Sequence, residues 1–415
     1  MTSVPHLGDA TWLKSGAAAK LLALLNGDGE EARAVGGAVR NELLKIPVGE
    51  IDIATTALPE EVTRRVAASG GKTAPTGIEH GTVTAIVDGR PFEVTTLRED
   101  VESFGRKARV VFGRDWKKDA ERRDFTINGL SVSMDGTLHD HVGALADIAA
   151  RRVRFIGEPQ RRIEEDYLRI LRFFRFHAHF GEGHPDAAGL AACIAARAGL
   201  ETLSRERVRM EMLKLLLAPH ATPTLATMAE SGLLGLVFGG VAYLASFENM
   251  VKVEAATGTE PDALRRLGAI GVWVAEDAER LTQRLRLANT ESDRLRALEN
   301  WRRIAPGADE QPAHALLYRL GPQSFGDRVL TAWARSQAGA ADVSWRALAD
   351  LPRRWTAPQF PLKAADFIKR NVAVGPALGV ALRAAETAWI AADFPVDRAA
   401  LEAIADAAAR ETISL

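Results

Sequence analysis

The spacing of hydrophobic and polar positions changes character near residue 157. Before it, short alternating runs, the period-2 mark of half-buried strands, are interleaved with short helical patterns. "EARAV" at 31–35 predicts a strand, followed by Gly36-Gly37 and a helical "AVRNELLK". "EIDIAT" at 50–55 predicts a second strand, and "PEEVTRRVAAS" at 59–69 a helix with proline and acids in its first turn. "GTVTAIV" and "PFEVTTL" flank Asp88-Gly89-Arg90, and "LSVSM" and "TLHD" flank Asp135-Gly136, both hairpin signals. After residue 158 the strand signals fade into helical periodicity rich in Ala, Leu and Arg. Strands first and helices afterwards predict an α+β domain joined to helical domains.

Length and composition narrow the class. The 415 residues exceed one compact core and predict roughly two to four domains. No window approaches the ~18 uninterrupted apolar residues of a membrane span. The N-terminus lacks a basic segment followed by an apolar run, so no secretory signal is expected. One cysteine, Cys193, excludes an internal disulfide and a cysteine-rich metal site, and fits a reducing, cytoplasmic home. The net charge of −1 advertises no polyanionic partner, so nucleic acid would have to be met by local patches. The most basic stretch, 151–175, holds eight Arg against four Asp/Glu and is a candidate phosphate-binding face. The alanine-rich end, 380–415, holds three Arg against six Asp/Glu and is not a basic tail.

The candidate chemistry begins with two acids on one strand. Alternate strand residues share a face, so Glu50 and Asp52 point one way and Ile51 and Ile53 the other. The same alternation in "PFEVTT" sets Glu93 apart from Phe92 and Val94. Carboxylates brought together repel and raise each other's pKa, a conflict that a divalent cation resolves. A little upstream, "VGGAVRN" at 35–41 places a glycine turn before a helix N-terminus. Gly36 and Gly37 let the backbone approach an anion, free N–H groups face it, and Arg40 adds a charged fork. Each feature alone also fits an ordinary solvated strand face or strand–helix turn; a phosphate cradle followed by an acid pair is the stronger signal. His80, His139, His141, His177 and His179 lack a third ligand at metal-binding spacing. The one His-Asp pair, His139-Asp140, falls in strand-like sequence, which argues against a phosphohydrolase site.

"GGAVRN…EIDIATT", "ERRDFTINGL" (121–130), "EEDYLRILRFFRF" (164–176) and "SRERVRMEMLKLL" (204–216) resemble, in order and spacing, the motifs of class II tRNA nucleotidyltransferases. That family includes CCA-adding enzymes and bacterial poly(A) polymerases, and the resemblance covers roughly residues 30–220. It implies a polymerase-β-like nucleotidyltransferase head over 1–157, a helical neck with the nucleotide-selecting motif over 158–220, and a helical, tRNA-binding body and tail over 221–415. It implies template-independent transfer of C, C and A from CTP and ATP to the tRNA 3′ end, assisted by Mg²⁺, with two ions expected. The partner implied is the 3′ end and acceptor arm of tRNA.

The resemblance also distributes roles. Glu50 and Asp52 would hold metal, with Glu93 completing the catalytic set. Gly36, Gly37, Arg40, Arg122 and Arg123 would hold the triphosphate and Asp124 the ribose. Asp166, Arg169 and Arg172 would select the base. A carboxylate accepts from the exocyclic amine shared by C and A, and a guanidinium donates to ring nitrogen and carbonyl. G and U would leave buried groups unpaired. On periodicity alone, Glu165, Arg169 and Arg172 fall on the polar side of one amphipathic helix, opposite Tyr167, Ile170, Leu171 and Phe174. "REDVESFGRKARVVFGRDWKKDAERRD" at 98–124 is charged and glycine-punctuated and predicts a loop. The family's flexible loop at this place, with Gly105-Arg106 here, favours complete CCA addition. Asp140, Gly143 and Asp147 match a stretch that couples head to neck. Two positions depart from the family: Glu50 stands where aspartate is usual, and Asn41 follows Arg40 where an aspartate is usual. Poly(A) synthesis and a catalytically weakened RNA-binding homologue remain the alternatives.

Overall fold

The computed structural model describes residues 5–77, 81–104, 107–307 and 309–414. Its chain divides into two compact units, Met1–Gly239 and Gly240–Leu415. His80, Gly105 and Arg106 lie outside the described residues.

The first unit begins with a seven-stranded sheet. In chain order its strands are β1 (Ala32–Val35), β2 (Asp52–Thr55), β3 (Lys72–Gly77), β4 (Thr82–Val87) and β5 (Arg90–Thr96). A separate hairpin, β6 (Arg98–Phe104) with β7 (Lys107–Phe112), follows, and the short β8 (Ser131–Val132) and β9 (Leu138–His139) complete the sheet. The spatial order is β3-β4-β5-β2-β1-β8-β9, antiparallel except for the parallel pair β2/β5. The two hairpins expected from Asp-Gly turns form, β4 joining β5 and β8 joining β9. At the first, Asp88 and Gly89 both have positive φ (49° and 75°), the conformation that two-residue hairpin turns require. Alternation is visible in β5, where Phe92, Val94 and Thr96 are buried and Glu93 is exposed. The helices Ala17–Leu25 and Pro59–Ala68 cover the sheet with Leu21, Leu22, Leu25, Val62 and Val66, all essentially solvent-free.

Two expectations change here. The stretch 98–124 is not a loop: β6 and β7 pair along their length, and Asp115 caps the helix Trp116–Glu121 through the N–H groups of Lys117 and Lys118. Its charged residues and glycine mask a strand pair, because its apolar run, Val110-Val111-Phe112, comes only at the end of β7. The strand expected at 50–55 begins at Asp52, so Glu50 lies in the extended segment before it rather than on its face.

Beyond Gly157 the unit is helical. An aromatic cluster joins the sheet-bearing part to the long helix Leu168–Phe180: Phe125 lies 4.9 Å from Phe155 and 5.1 Å from Phe176, and Phe155 stacks on Phe173 at 5.4 Å. Such contacts contribute about 0.5–1.5 kcal/mol each beyond area burial. They fix the register of that helix against the motif at 121–130.

The second unit is helical throughout its described residues. One core gathers Phe325, Trp333, Trp345 and Leu351. Another packs Ala381 and Ala385 against Ala405, Ala408 and Ala409. Small side chains let the two terminal helices, Pro376–Ala391 and Arg398–Ile413, approach closely, which accounts for the alanine-rich end. Among the described residues, no helix is long and apolar enough to cross a membrane.

Candidate active site

Register places Asp52 at the mouth of the sheet. It pairs with Val35, the last residue of β1, and the β2/β5 pairing of Ile53 with Val94 sets Asp52 beside Glu93. Gly36 follows Val35 with φ 65° and ψ −116°, and a Cβ there would sit 3.3 Å from Arg123 Nη1. Glycine thus lets the turn enter the helix Gly37–Leu44 while an arginine lies against its backbone.

Gly36, Gly37, Arg40, Asp52, Arg123, Asp124, Asp166, Arg169 and Arg172 line one open cleft of about 520 Å³. That volume is in the range of small-molecule sites, ~300–1,000 Å³. A smaller recess of about 150 Å³ shares Asp52 and Arg123 with the cleft and adds Glu93, Arg98 and Arg122. The residues singled out from sequence are therefore brought together, except Glu50, which is exposed nearby, and Asp140 and Gly143, which lie elsewhere.

The electrostatics divide the cleft. Asp52 is accessible to solvent yet set into the recess. Surrounding protein, the negative charge of Glu93 and, more weakly, that of Glu50 raise its carboxyl above the usual value, against the opposing pull of Arg123. Among the described residues, no three Asp, Glu, His or Cys side chains converge as a ready metal cage. The pair Asp52/Glu93 is the arrangement that fits Mg²⁺, which takes one or two carboxylates and completes its shell with water and phosphate oxygens.

The expected arginines form the cationic side, but they are oriented by groups that sequence reading missed, Asp119 and Asn128. Asp119, buried, accepts from Arg122 at 2.8 Å and from Arg123 at 3.1 Å, so one carboxylate orients both arginines. Its signal was present as an acid three and four positions before the pair. Arg40 is buried, stacks 3.8 Å from the Phe180 ring, and donates through Nη1 to Asn128. Its Nε and Nη2 both reach Asn41 Oδ1, at 3.2 and 2.9 Å, so the amide keeps the link that an aspartate would make as an ion pair. Burial, against the pull of the Asp124 charge, lowers the Arg40 pKa to about 10, leaving it a desolvated cation.

"EEDYLRILRFFRF" is not one helix. A helix ends at Glu165, Asp166 is extended (φ −158°, ψ 106°), and the next helix starts at Leu168, whose N–H Asp166 Oδ1 accepts at 3.1 Å. Aspartate favours such a cap, which periodicity alone could not reveal. Asp166 Oδ2 accepts from Arg207 Nη2 at 2.6 Å. Arg169 donates Nη1 to Glu165 at 2.5 Å and to the Arg162 carbonyl at 2.7 Å; its Nε and Nη2 have no partner among the described residues. Asp124 is more fully used than expected: its oxygens accept from Phe125 N, Asn128 Nδ2, Arg172 Nε and Arg172 Nη2, which fills the four lone-pair positions of a carboxylate. Burial opposes its ionisation, but Arg172 and these bonds hold its pKa below the usual value.

The eight arginines of 151–175 do not form a free phosphate-binding face. Arg152 and Arg154 pair with buried Asp147, Arg151 with Glu182, Arg162 and Arg169 with Glu165, Arg172 with Asp124, and Arg175 with Glu211. Arg161 alone of the eight is without a carboxylate among the described residues. Asp140 accepts from the N–H groups of Val142, Gly143, Ala144 and Leu145, fastening the start of the helix Ala144–Ala149.

Comparison with known proteins then decides the family. A model of the poly A polymerase head domain matches residues 32–154, and one for a probable RNA and SrmB- binding site of polymerase A matches 186–244. The mitochondrial CCA tRNA nucleotidyltransferase 1 of Danio rerio is 36% identical over 366 residues, 86% of this chain and 83% of that protein. The chain belongs to the CCA-adding tRNA nucleotidyltransferase family. A CCA-adding enzyme from Limosilactobacillus fermentum is 33% identical over 373 residues, 87% of this chain and 89% of its own length. The crystal structure of the Bacillus stearothermophilus CCA-adding enzyme in complex with CTP superposes with a TM-score of 0.78 at 28% identity, over 96% of this chain and 98% of that one. Membership in the CCA-adding family thus accounts for the polymerase-β-like sheet followed by helices.

Proposed function

We propose that this protein adds C, C and A to the 3′ end of tRNA from CTP and ATP, without a nucleic-acid template. The observation that carries the reading is the single cleft in which a paired-acid recess, two arginines on one buried carboxylate, and a partly unpartnered Asp/Arg pair meet. Relatives aligned over more than four-fifths of both chains are CCA enzymes, which favours CCA addition over poly(A) synthesis.

Asp52 and Glu93, with Glu50 alongside, would hold Mg²⁺. When bound, the ion neutralises phosphate charge and lowers the pKa of the attacking hydroxyl. The residues of the chain supply the rest. The Gly36–Gly37 turn presents backbone N–H groups to the triphosphate. Arg122 and Arg123, held in fixed directions by Asp119, and the desolvated Arg40 neutralise it. The tRNA 3′-oxygen forms a bond to the α-phosphorus, the α–β bridging bond breaks, and pyrophosphate leaves with the β- and γ-phosphates. Asp166 keeps acceptor capacity and Arg169 two free donor nitrogens, a pattern complementary to the amine-bearing edges of C and A. Since Asp124 is saturated by internal bonds, a ribose contact there requires exchange of one of them; we assign it first to orienting Arg172. Asp140 and Gly143, through their rigid helix start, would couple head to neck. The reducing compartment suits either the cytoplasm or the mitochondrion named for the animal relatives.

The test is extension of tRNA transcripts ending in the discriminator base, in C, or in CC, with CTP, ATP or both, resolved to single nucleotides. Growth to CCA and then arrest is expected. Long A-ladders would transfer the assignment to poly(A) synthesis, and binding of tRNA without extension would leave only an RNA-binding protein.

A further inference from the structure

Arg162 lies outside the cleft but touches both of its working halves. Its Nη2 donates to the carbonyl oxygens of Arg122, at 2.6 Å, and Arg123, at 2.7 Å. Its Nη1 donates to Glu165 Oε2 at 2.5 Å, and the same oxygen accepts from Arg169 Nη1, also at 2.5 Å. The circuit closes through the Arg162 carbonyl, which accepts from Arg169 Nη1 at 2.7 Å. The guanidinium is largely buried, and its Nε–H has no partner among the described residues. From sequence, Arg162 is one of the eight arginines of the candidate phosphate-binding stretch 151–175.

We propose that Arg162 is a positioning residue that couples nucleotide selection to the triphosphate-holding arginines. A planar guanidinium can bridge two carbonyls on one edge and a carboxylate on the other; no other side chain offers that fork at fixed angles. One edge sets the backbone from which Arg122 and Arg123 project. The other sets Glu165, which with the Arg162 carbonyl fixes the direction of Arg169. The base-reading group and the triphosphate-holding group are thereby held at one spacing, so a base that fails to meet Arg169 leaves its α-phosphate misplaced. Short misplacements of this kind are strongly felt in rate.

This inference rests on the proposed nucleotidyl transfer, and the two fail differently. Steady-state addition to tRNA ending in C is measured with CTP, ATP, UTP and GTP for the wild type, Arg162→Met and Glu165→Gln. Wild-type protein that adds no nucleotide overturns the functional reading itself. With active wild type, Arg162→Met is expected to lower the CTP-over-UTP ratio of kcat/KM by roughly tenfold or more, chiefly through kcat for CTP. Arg162→Lys, which keeps the charge but not the fork, should restore little of it. Glu165→Gln keeps the shape and decides the matter if Arg162→Met does not fold: it should lose selectivity in the same direction. Equal loss toward all four nucleotides, with the ratios unchanged in the folded variants, would make Arg162 only a scaffold residue and overturn the proposal.

Discussion

Around Asp52, burial and then the negative charge of Glu93 and, more weakly, Glu50 raise the carboxyl pKa, against the opposing pull of Arg123. A folded-state pKa above the unfolded value means that the folded chain holds that proton more tightly. Ionisation therefore opposes folding: the penalty grows as pH rises from the unfolded pKa and is complete above the folded one. Asp52→Asn is accordingly expected to raise the melting temperature in chelator by about 1–3 °C while abolishing nucleotide addition. Mg²⁺ should raise the melting temperature of the wild type and leave that of the variant unmoved. Calorimetry with and without EDTA checks both; a variant less stable than wild type in EDTA would contradict the charge argument. Glu50 calls for a different expectation. It sits before the strand, where an exposed segment can shift by a methylene's length. Glu50→Asp should stay within roughly threefold of wild-type kcat, whereas Glu50→Gln, which loses the charge, should fall about tenfold or more.

At the scale of elements, the helix break at Asp166 and the arginine-rich segment around it show what periodicity conceals. Of the expected apolar arc, Ile170, Leu171 and Phe174 are buried, while Tyr167 is half-buried and precedes the helix; Leu168 and Phe173 join the buried side. The same pattern runs unbroken through Asp166, because a cap is a statement about one residue's side chain and φ/ψ, not about spacing. Charge counting erred in the same way. Eight arginines in a stretch suggest a face for phosphate, but carboxylates from Asp124, Asp147, Glu182 and Glu211 reach them from elsewhere in the unit. Ion pairs distant in sequence are invisible to a local window. Arg161→Gln is therefore expected to reduce the slope of log KM for tRNA against log salt by about 1. Arg152→Gln with Arg154→Gln should leave that slope nearly unchanged and reduce stability instead, since it strips the buried Asp147 of both arginines. A salt titration of KM alongside urea melts separates the two, and the reverse pattern would restore the idea of a phosphate-binding face.

For the molecule as a whole, most of the sheet, the order of strands before helices, and the acid and glycine side of the cleft follow from short-range signals: Gly-Gly before a helix, Asp-Gly turns, acids alternating with Ile and Val. Arg122, Arg123, Asp124, Asp166, Arg169 and Arg172 are assigned through the family resemblance. What was not legible is how the charges are partnered. Arg207 reaches the site, and Arg162 its edge, because the aromatic cluster around Phe125, Phe155 and Phe173 brings the helices onto the sheet-bearing part, where Asp119 and Asn128 already sit. Every residue lining the cleft falls between Gly36 and Arg207, inside the unit that ends at Gly239. That unit has its own sheet and buried aromatic core, which is what independent folding requires. A fragment of residues 1–239 is therefore expected to bind CTP with a Kd within roughly threefold of the full chain, because no lining group is removed. It should nonetheless extend tRNA poorly if, as proposed, the helices beyond residue 239 hold the tRNA. Titration calorimetry with CTP and Mg²⁺, paired with single-nucleotide extension assays, distinguishes the two. A folded fragment that binds no CTP would show that the cleft alone is not the nucleotide site, and a fragment that extends tRNA at the full rate would confine tRNA recognition to the first unit.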